Sequence, residues 1–173
     1  MKDVELKLIS ELIKNSHRSD RQLAKTLQVS QPTITRIRRK LEKEGIIKEY
    51  TIIPDFVKVG YHLAALTFCK FQRQLTPEVL KNARMVAQER LGEIGEAVVL
   101  ERGIGLNSNG VVFSFHKNYS TYLALKEWLK QFSFLGPYDL TSFIINLDDD
   151  VHYRYLTFST LSKHLLSTMT EKK

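Results

Sequence analysis

Hydrophobic residues recur every three or four positions through the first part of the chain, which is the spacing of amphipathic helices. The stretch 3–15 predicts a first helix with one apolar face. A shorter second helix over 20–27 follows Ser19, and a third follows Ser30, because serine is a favoured helix N-cap. The third helix is predicted to end at Gly45, since glycine accepts the left-handed conformation that often follows a helix.

The second and third helices have the spacing of a helix-turn-helix. Small Ala24 allows a close helix crossing, and Ile34 and Ile37 provide the apolar side of the third helix. Gln28 occupies the turn position where glycine is commonest, which costs about 1 kcal/mol for a left-handed residue. The spacing still predicts a helix-turn-helix.

After residue 45 the pattern changes to alternation and short apolar runs. IIKEYTIIPDF predicts a strand or wing that Pro54 interrupts. The runs HLAALTFCKFQ, EAVVLERG, GVVFSFHK and LTSFIINL predict four strands, with helices predicted for PEVLKNARMVAQERL and YSTYLALKEWLKQF. The order βαββαβ indicates a ferredoxin-like unit.

The last segment, DDDVHYRYLTFSTLSKHLLSTMTEKK, predicts one more helix. Its apolar positions have helical spacing: Val151, Tyr155, Phe158, Leu161 and Leu165. Three acids at 148–150 would lie at its positive N-terminal end. We expect its apolar stripe to pack on the βαββαβ domain or on a partner subunit.

Positive charge is concentrated near the N-terminus. Residues 1–50 contain 12 Lys and Arg against 7 Asp and Glu, in a chain whose formal net charge is +7. A basic N-terminal region indicates a polyanion as partner, and with a helix-turn-helix that partner is double-stranded DNA.

Helical geometry assigns roles to the outward side chains of the third helix. Its first turns meet base edges in a major groove, and its later residues meet phosphates. The predicted base-reading residues are Gln31, Thr33, Thr35 and Arg36. The predicted phosphate-binding residues are Ser30, Arg38, Arg39, Lys40 and Lys43. The alternative is an ordinary solvated helix face.

The N-terminal motif resembles the leucine-responsive/AsnC family of prokaryotic transcription regulators. The matching pattern "LA..L..S..T...RI..LE..GII..Y" is carried by Leu23, Ala24, Leu27, Ser30, Thr33, Arg36, Ile37, Leu41, Glu42, Gly45, Ile46, Ile47 and Tyr50. The resemblance is close over about the first 60 residues and extends over the rest only by pattern. It implies a sequence-specific DNA-binding transcription regulator that acts in the cytoplasm as a homodimer or ring of dimers.

The predicted fold class is therefore α+β, with an N-terminal winged helix-turn-helix domain, a ferredoxin-like βαββαβ domain and a C-terminal helical tail. The predicted boundaries are 1–50 for the DNA-binding domain, 51–60 for a linker strand, 61–147 for the effector and dimerisation domain, and 148–173 for the tail.

The resemblance also implies a small-molecule effector near the loop between the second and third strands. The predicted effector loop contains Gly105, Asn107, Ser108 and Asn109. Regulators of this family that bind amino acids tend to have carboxylates there, and this loop has none. An amino-acid ammonium would lose charge-assisted hydrogen bonds of about 1.5 to 3 kcal/mol each. The alternative is an ordinary hairpin turn rich in Gly and Asn.

The sequence argues against several other classes. No apolar run is long enough for a membrane span, and the acids in MKDVELKLIS do not fit a signal peptide. Cys69 is expected to be a small buried hydrophobe. The five histidines are scattered, so we predict no enzyme activity, cofactor or metal site.

Two alternatives share the predicted architecture. Siroheme decarboxylases resemble the same regulator family but usually lose the basic helix that this chain keeps. RNA-recognition motifs share the βαββαβ order, and NGVVFSFH partly follows their pattern. There, Val111, Phe113 and Phe115 alternate onto one face, which more often means a core.

Overall fold

The computed structural model describes residues 2–71, 76–78, 81, 84–85, 89, 95–131, 137–151 and 154–170. The chain forms two compact units: Met1–Ile53 with Tyr153–Lys173, and Pro54–His152. The elements in chain order are α1 (Asp3–Lys14), α2 (Asp20–Leu27), α3 (Gln31–Lys43), β1 (Leu63–Phe71), β2 (Ala97–Gly105), β3 (Ser108–His116), α4 (Tyr119–Lys130), β4 (Pro137–Asn146) and α5 (Leu161–Thr170).

The first unit is built on three helices that bury their apolar faces against one another. Its fully or almost fully buried core residues are Leu8, Leu12, Leu23, Ala24, Ile34, Ile37 and Leu41. Both predicted serine caps are confirmed. The Ser19 hydroxyl accepts from the backbone N–H of Gln22 at 3.3 Å, and the Ser30 hydroxyl accepts from that of Thr33 at 3.3 Å. The caps satisfy amide groups that a helix leaves unpaired at its start.

The linker strand predicted over 51–60 is not formed, although the structure describes all of these residues. The segment is extended chain followed by a turn, in which the Tyr61 backbone N–H donates to the Phe56 carbonyl at 2.8 Å. The apolar alternation that predicted a strand here has another cause than strand pairing. Ile52 is exposed, whereas Phe56 packs on the ring of Phe115 with centroids 3.9 Å apart. An extended segment becomes a strand only where a neighbouring strand pairs its backbone.

The second unit contains a four-stranded antiparallel sheet in the order β2-β3-β1-β4. This order, with α4 between β3 and β4, confirms the predicted ferredoxin-like arrangement. The other predicted helix of this unit, over 77–91, falls largely on residues outside those described. Helix α4 begins at an Asn118 cap, whose side-chain oxygen accepts from the Thr121 backbone N–H at 3.0 Å.

The two faces of this sheet differ in what covers them. On one face, Cys69 and Val112 pack against Leu125 and Leu129 of α4 and form the buried core. Cys69 is 3% exposed, and burial raises the pKa of its thiol to about 11, which confirms it as a buried apolar residue. The opposite face carries no described helix.

That opposite face presents a row of apolar side chains across all four strands. Leu66 pairs with Phe113 on one side and with Phe143 on the other, and Phe113 pairs with Val99. Residues paired directly in an antiparallel sheet point to the same side. Phe143 is 64% exposed and Val99 is 41% exposed, so the row is open to solvent in the single chain.

The C-terminal tail differs from its prediction in two ways. Its helix begins at Leu161, so the acids at 148–150 are not in its first turn. Helix α5 belongs to the first unit and packs on α1, where the Ser10 hydroxyl donates to the Ser162 carbonyl at 3.1 Å. Ser10 and Ser162 are both buried, and their small side chains let the two helices approach closely. The tail was expected to pack on the βαββαβ domain or on a partner subunit, and the contact that the structure shows for its helix is with α1.

Candidate nucleic-acid interface

The turn between α2 and α3 has the geometry that the spacing predicted. Gln28 has φ 55° and ψ 43°, the left-handed conformation expected at the turn. The Val29 backbone N–H donates to the Ala24 carbonyl at 3.1 Å, which closes the end of α2. Pro32 lies in the first turn of α3, where a missing N–H costs no helical hydrogen bond. The buried residues on one side of α3 fix which side faces outward.

The outward side of α3 forms a concave surface, which we call the α3 surface. Its lining residues are Gln31, Pro32, Thr35, Arg36 and Arg39. Thr35 is half-buried, and the other four are exposed. Three of the four predicted base-reading residues therefore lie on one surface, together with one predicted phosphate-binding residue.

Thr33, the fourth predicted base-reading residue, lies beside the cap of α3. Its hydroxyl is 2.8 Å from the Ser30 hydroxyl, and its backbone N–H donates to the same Ser30 oxygen. Ser30 and Thr33 thus hold the first turn of α3 together. Neither lines the α3 surface.

An acid on α2 binds two of the predicted site residues. The Thr35 hydroxyl donates to Asp20 Oδ2 at 2.6 Å, and Arg38 Nε donates to Asp20 Oδ1 at 2.8 Å. Arg38 also donates to the Arg18 carbonyl at 3.2 Å. Because Asp20 is on α2 and its partners are one turn apart on α3, these bonds fix the two helices relative to each other. Arg38 is engaged inside the domain.

Tyr50 extends this network to the segment after α3. Its hydroxyl donates to Glu42 Oε1 at 2.7 Å, and Arg38 donates to the Tyr50 oxygen at 3.3 Å. Burial and the bond to Glu42 raise the pKa of Tyr50. Sequence reasoning gave neither Asp20 nor Tyr50 a role at the site, because their partners are 8 to 18 positions away and no helical period connects them.

Two lysines of α3 have different environments. Lys40 Nζ lies 2.8 Å from Glu5 Oε1 on α1 and 3.8 Å from Glu44. Hydrogen bonds from Lys40 and from the Lys2 backbone N–H lower the pKa of Glu5. Lys43 is exposed, and within the described residues it makes no ion pair. Lys40 therefore joins α3 to α1, whereas Lys43 faces solvent.

The predicted effector loop is a tight hairpin. Gly105 pairs with Ser108, and only Leu106 and Asn107 connect the strands, with φ of 50° and 53°. Two successive left-handed residues form a type I′ turn, whose twist suits a hairpin. The Ser108 hydroxyl donates to the Leu106 carbonyl at 3.2 Å, and Asn109 lies in β3. Leu106 is an unfavourable residue for this conformation and is 75% exposed.

The described residues contain no cluster of three His, Cys, Asp or Glu side chains that could hold a metal ion. In the same part of the chain, no helix combines the length and apolar character needed to cross a bilayer.

Comparison with known proteins agrees with this geometry. Residues 1–48 match a family model described as winged helix-turn-helix DNA-binding. The uncharacterized HTH-type transcriptional regulator PH0061 of Pyrococcus horikoshii is 33% identical over 102 residues, which are 59% of this chain and 64% of the relative. The HTH-type transcriptional regulator LrpC of Bacillus subtilis is 38% identical over 63 residues, which are 36% of this chain and 44% of the relative. The chain matches 57%, 64% and 41% of the lengths of three Pyrococcus relatives.

Solved structures extend the similarity to the whole fold. The crystal structure of PH0061 superposes with a TM-score of 0.69 at 26% identity, covering 90% of this chain and 98% of that one. An AsnC family transcriptional regulator from Agrobacterium tumefaciens superposes with a TM-score of 0.70 at 19% identity, covering 93% of this chain and 99% of that one. At that identity the second comparison shows the fold alone.

The first unit therefore contains a winged helix-turn-helix DNA-binding domain. The chain as a whole has the two-part α+β fold of the Lrp/AsnC regulators, and the predicted resemblance to that family is confirmed.

Proposed function

We propose that this protein is a sequence-specific transcription regulator that binds double-stranded DNA as a homodimer or larger homo-oligomer in the cytoplasm. The observation that carries the proposal is the α3 surface. It combines the exposed cations Arg36 and Arg39 with the amide of Gln31, on a helix whose opposite side is buried in the core. A helix of this kind enters a major groove, where arginine pairs with guanine and glutamine with adenine.

The contacts divide the basic residues of α3 into two groups. Arg39 and Lys43 are exposed and are assigned to phosphates, and Gln31 and Arg36 are assigned to base edges. Arg38 and Lys40 are held by Asp20 and Glu5, so we assign them to positioning α3 within the domain. Ser30 and Thr33 act at the first turn, where backbone N–H groups and hydroxyls meet a phosphate.

The open face of the sheet supports self-association. The row Val99, Phe113, Leu66 and Phe143 leaves apolar surface uncovered in the single chain, and a second copy related by a two-fold axis would cover it. A dimer would place two recognition helices on half-sites about one helical turn, or a multiple of it, apart. Base stacking by RNA on the same face is less well supported, because Phe115 is covered by Phe56.

A small-molecule effector at the β2–β3 hairpin is part of the proposal. The residues assigned to it are Gly105, Asn107, Ser108 and Asn109, which place amide and hydroxyl side chains at and beside the turn. The absence of a carboxylate at these positions makes the turn a poor partner for an ammonium group.

Selection of bound duplexes from a random DNA pool tests the proposal. At about 150 mM salt, non-specific phosphate binding is weakened strongly, so enrichment reports base recognition. We expect a palindromic consensus. Arg36→Ala should weaken binding to it by about 1 to 3 kcal/mol and relax preference at one position of each half-site.

Arg102→Ala is the matched control, because it removes the same charge from an exposed position on β2. It should leave the consensus unchanged. No enrichment over the input pool would contradict the proposal, and an equal loss on every sequence for Arg36→Ala would refute the base-reading role of Arg36.

A further inference from the structure

The hydroxyl of Thr35 is already used inside the domain. Its Oγ1 lies 2.6 Å from Asp20 Oδ2 and 3.2 Å from the Gln31 carbonyl. A threonine hydroxyl has one proton, and a carboxylate oxygen is an acceptor, so that proton is directed at Asp20. Thr35 therefore cannot donate a hydrogen bond to a base while this contact is intact.

Asp20 is held in place by a second residue of α3, Arg38. Its other oxygen accepts from Arg38 Nε at 2.8 Å, and Arg38 is fixed in turn by the Arg18 carbonyl at 3.2 Å. The Asp20 and Arg38 side chains are only 21% and 17% exposed. An acceptor fixed by a charge-assisted bond orients the threonine, because its χ1 angle is confined to a few rotamers.

With its hydroxyl bound to α2, Thr35 has one other branch, the Cγ2 methyl group. Thr35 lines the α3 surface between Gln31 and Arg39, and the ring of Pro32 lines the same surface. The surface thus combines apolar carbon from Thr35 and Pro32 with the polar ends of its other side chains. In the major groove, thymine is distinguished by its C5-methyl group.

We propose that Thr35 is a specificity-determining residue that reads a thymine through its methyl group, with Asp20 as the positioning residue that holds its hydroxyl away from the base. This inference rests on the proposed function, since it requires α3 to enter a major groove. It decides between two ways in which threonine can read DNA, through its hydroxyl or through its methyl group.

The test uses the duplex obtained by selection and replaces each thymine, one position at a time, with deoxyuridine, which lacks only the methyl group. We expect the protein to bind about fourfold more weakly for each methyl group removed at one position of the half-site, the ratio expected for one buried carbon. Thr35→Ser keeps the hydroxyl and removes the methyl group. It should bind the thymine and deoxyuridine duplexes equally at that position.

Two further variants separate reading from folding. Thr35→Val keeps a methyl group and loses the bond to Asp20, so it should retain a preference for thymine whatever its overall affinity. Thr26→Ser removes a methyl group from an exposed threonine of α2, whose hydroxyl also donates to the carbonyl four residues earlier, and should leave the thymine preference unchanged.

The outcomes are distinct for the two proposals. A selected operator to which the native protein binds equally well with uracil at every thymine overturns this inference and leaves the proposed function standing. A full thymine preference in Thr35→Ser also overturns it. Failure to select any operator overturns both.

Discussion

Arg38 Nε donates to Asp20 Oδ1 across the crossing of α2 and α3, at a distance of 2.8 Å. Both side chains are mostly buried, so each would be poorly solvated without the other. The same carboxylate binds the Thr35 hydroxyl, which makes Asp20 the point where the two helices of the motif are fixed together.

Asp20→Ala should lower the free energy of unfolding of the first unit by about 1.5 to 3 kcal/mol, because it leaves Arg38 and Thr35 without their acceptor. Chemical denaturation followed by circular dichroism measures this change. Asp3→Ala is the matched control. Asp3 is also an acid in the first turn of a helix, but its ion pair with Lys7 is exposed, so its loss should cost well under about 1 kcal/mol. Equal effects of the two variants would contradict the role of Asp20.

Salt dependence of DNA binding should separate Lys43 from Lys40. Lys43→Ala should reduce the slope of log K against log salt by about 0.9 for each phosphate that the protein no longer neutralises. Lys40→Ala should reduce it less, because Lys40 already pairs with Glu5 and Glu44. Fluorescence anisotropy at several salt concentrations measures both slopes. The assignment fails if Lys40→Ala lowers the slope as much as Lys43→Ala does.

The docking of α5 on α1 should depend on the small side chain of Ser162. Ser162→Leu places extra volume where the residue is 1% exposed, and overpacking of this kind costs about 1 to 3 kcal/mol. Thermal unfolding should therefore shift downward, and proteolysis should remove the tail more rapidly. Ser167→Leu makes the same change at an exposed position of α5 and should have little effect. Equal stability and protease resistance in the two variants would mean that the tail does not depend on this contact.

Self-association should depend on the open sheet face. Phe143→Glu puts a charge into the apolar row beside Leu66, and burying that charge in a dimer without a partner is costly. Sedimentation velocity should show a monomer, or a dimer weakened at least tenfold. Ile52→Glu introduces the same charge at a residue of the first unit that is 82% exposed, and it should leave the oligomer unchanged. An unaffected oligomer in Phe143→Glu would place the interface elsewhere.

Stability of the second unit should depend on pH through His116. Burial lowers the pKa of His116, an effect only partly opposed by Glu96, and its Nε2 is 2.8 Å from the Ser114 hydroxyl. Above pH 7 the His116 imidazole is neutral in both the folded and the unfolded chain. As pH falls below about 6.5, the unfolded form gains the proton first, so the free energy of unfolding decreases, by up to about 1.4 kcal/mol per pH unit.

Denaturation between pH 7.5 and 5.5 measures this decrease, which should level off below the folded-state pKa. His116→Gln should abolish it, whereas His17→Gln, at an exposed position in the first unit, should not. A pH dependence that persists in His116→Gln would assign it to another group.

The predicted features that are confirmed depend on short-range rules. Ser19 and Ser30 cap helices because their hydroxyls reach a backbone N–H three residues ahead, and this is readable from adjacent letters. The left-handed Gln28 followed from the spacing of the two helices. The four strands and the helix between the third and the fourth followed from apolar runs punctuated by Gly, Asn and Pro.

The linker strand is not formed, and the predicted tail helix is present but begins only at Leu161, for a common reason. Both were inferred from apolar alternation or spacing. Such a pattern predicts that a side chain is buried but does not identify the residue that it packs against. Phe56 packs against Phe115, and α5 packs against α1. Apolar spacing alone did not show that the helix begins only at Leu161.

By itself, the sequence determined the helix-turn-helix, its outward basic face and the class of sheet, because caps, periods and charge are local properties of the chain. Only the tertiary structure decided which of those basic side chains are bound by acids of the same domain. Arg38 and Lys40 are bound by Asp20 and Glu5 from other helices, whereas Arg36, Arg39 and Lys43 make no ion pair within the described residues. Partners separated by 15 to 35 positions meet only when the helices cross, and no local pattern records the crossing.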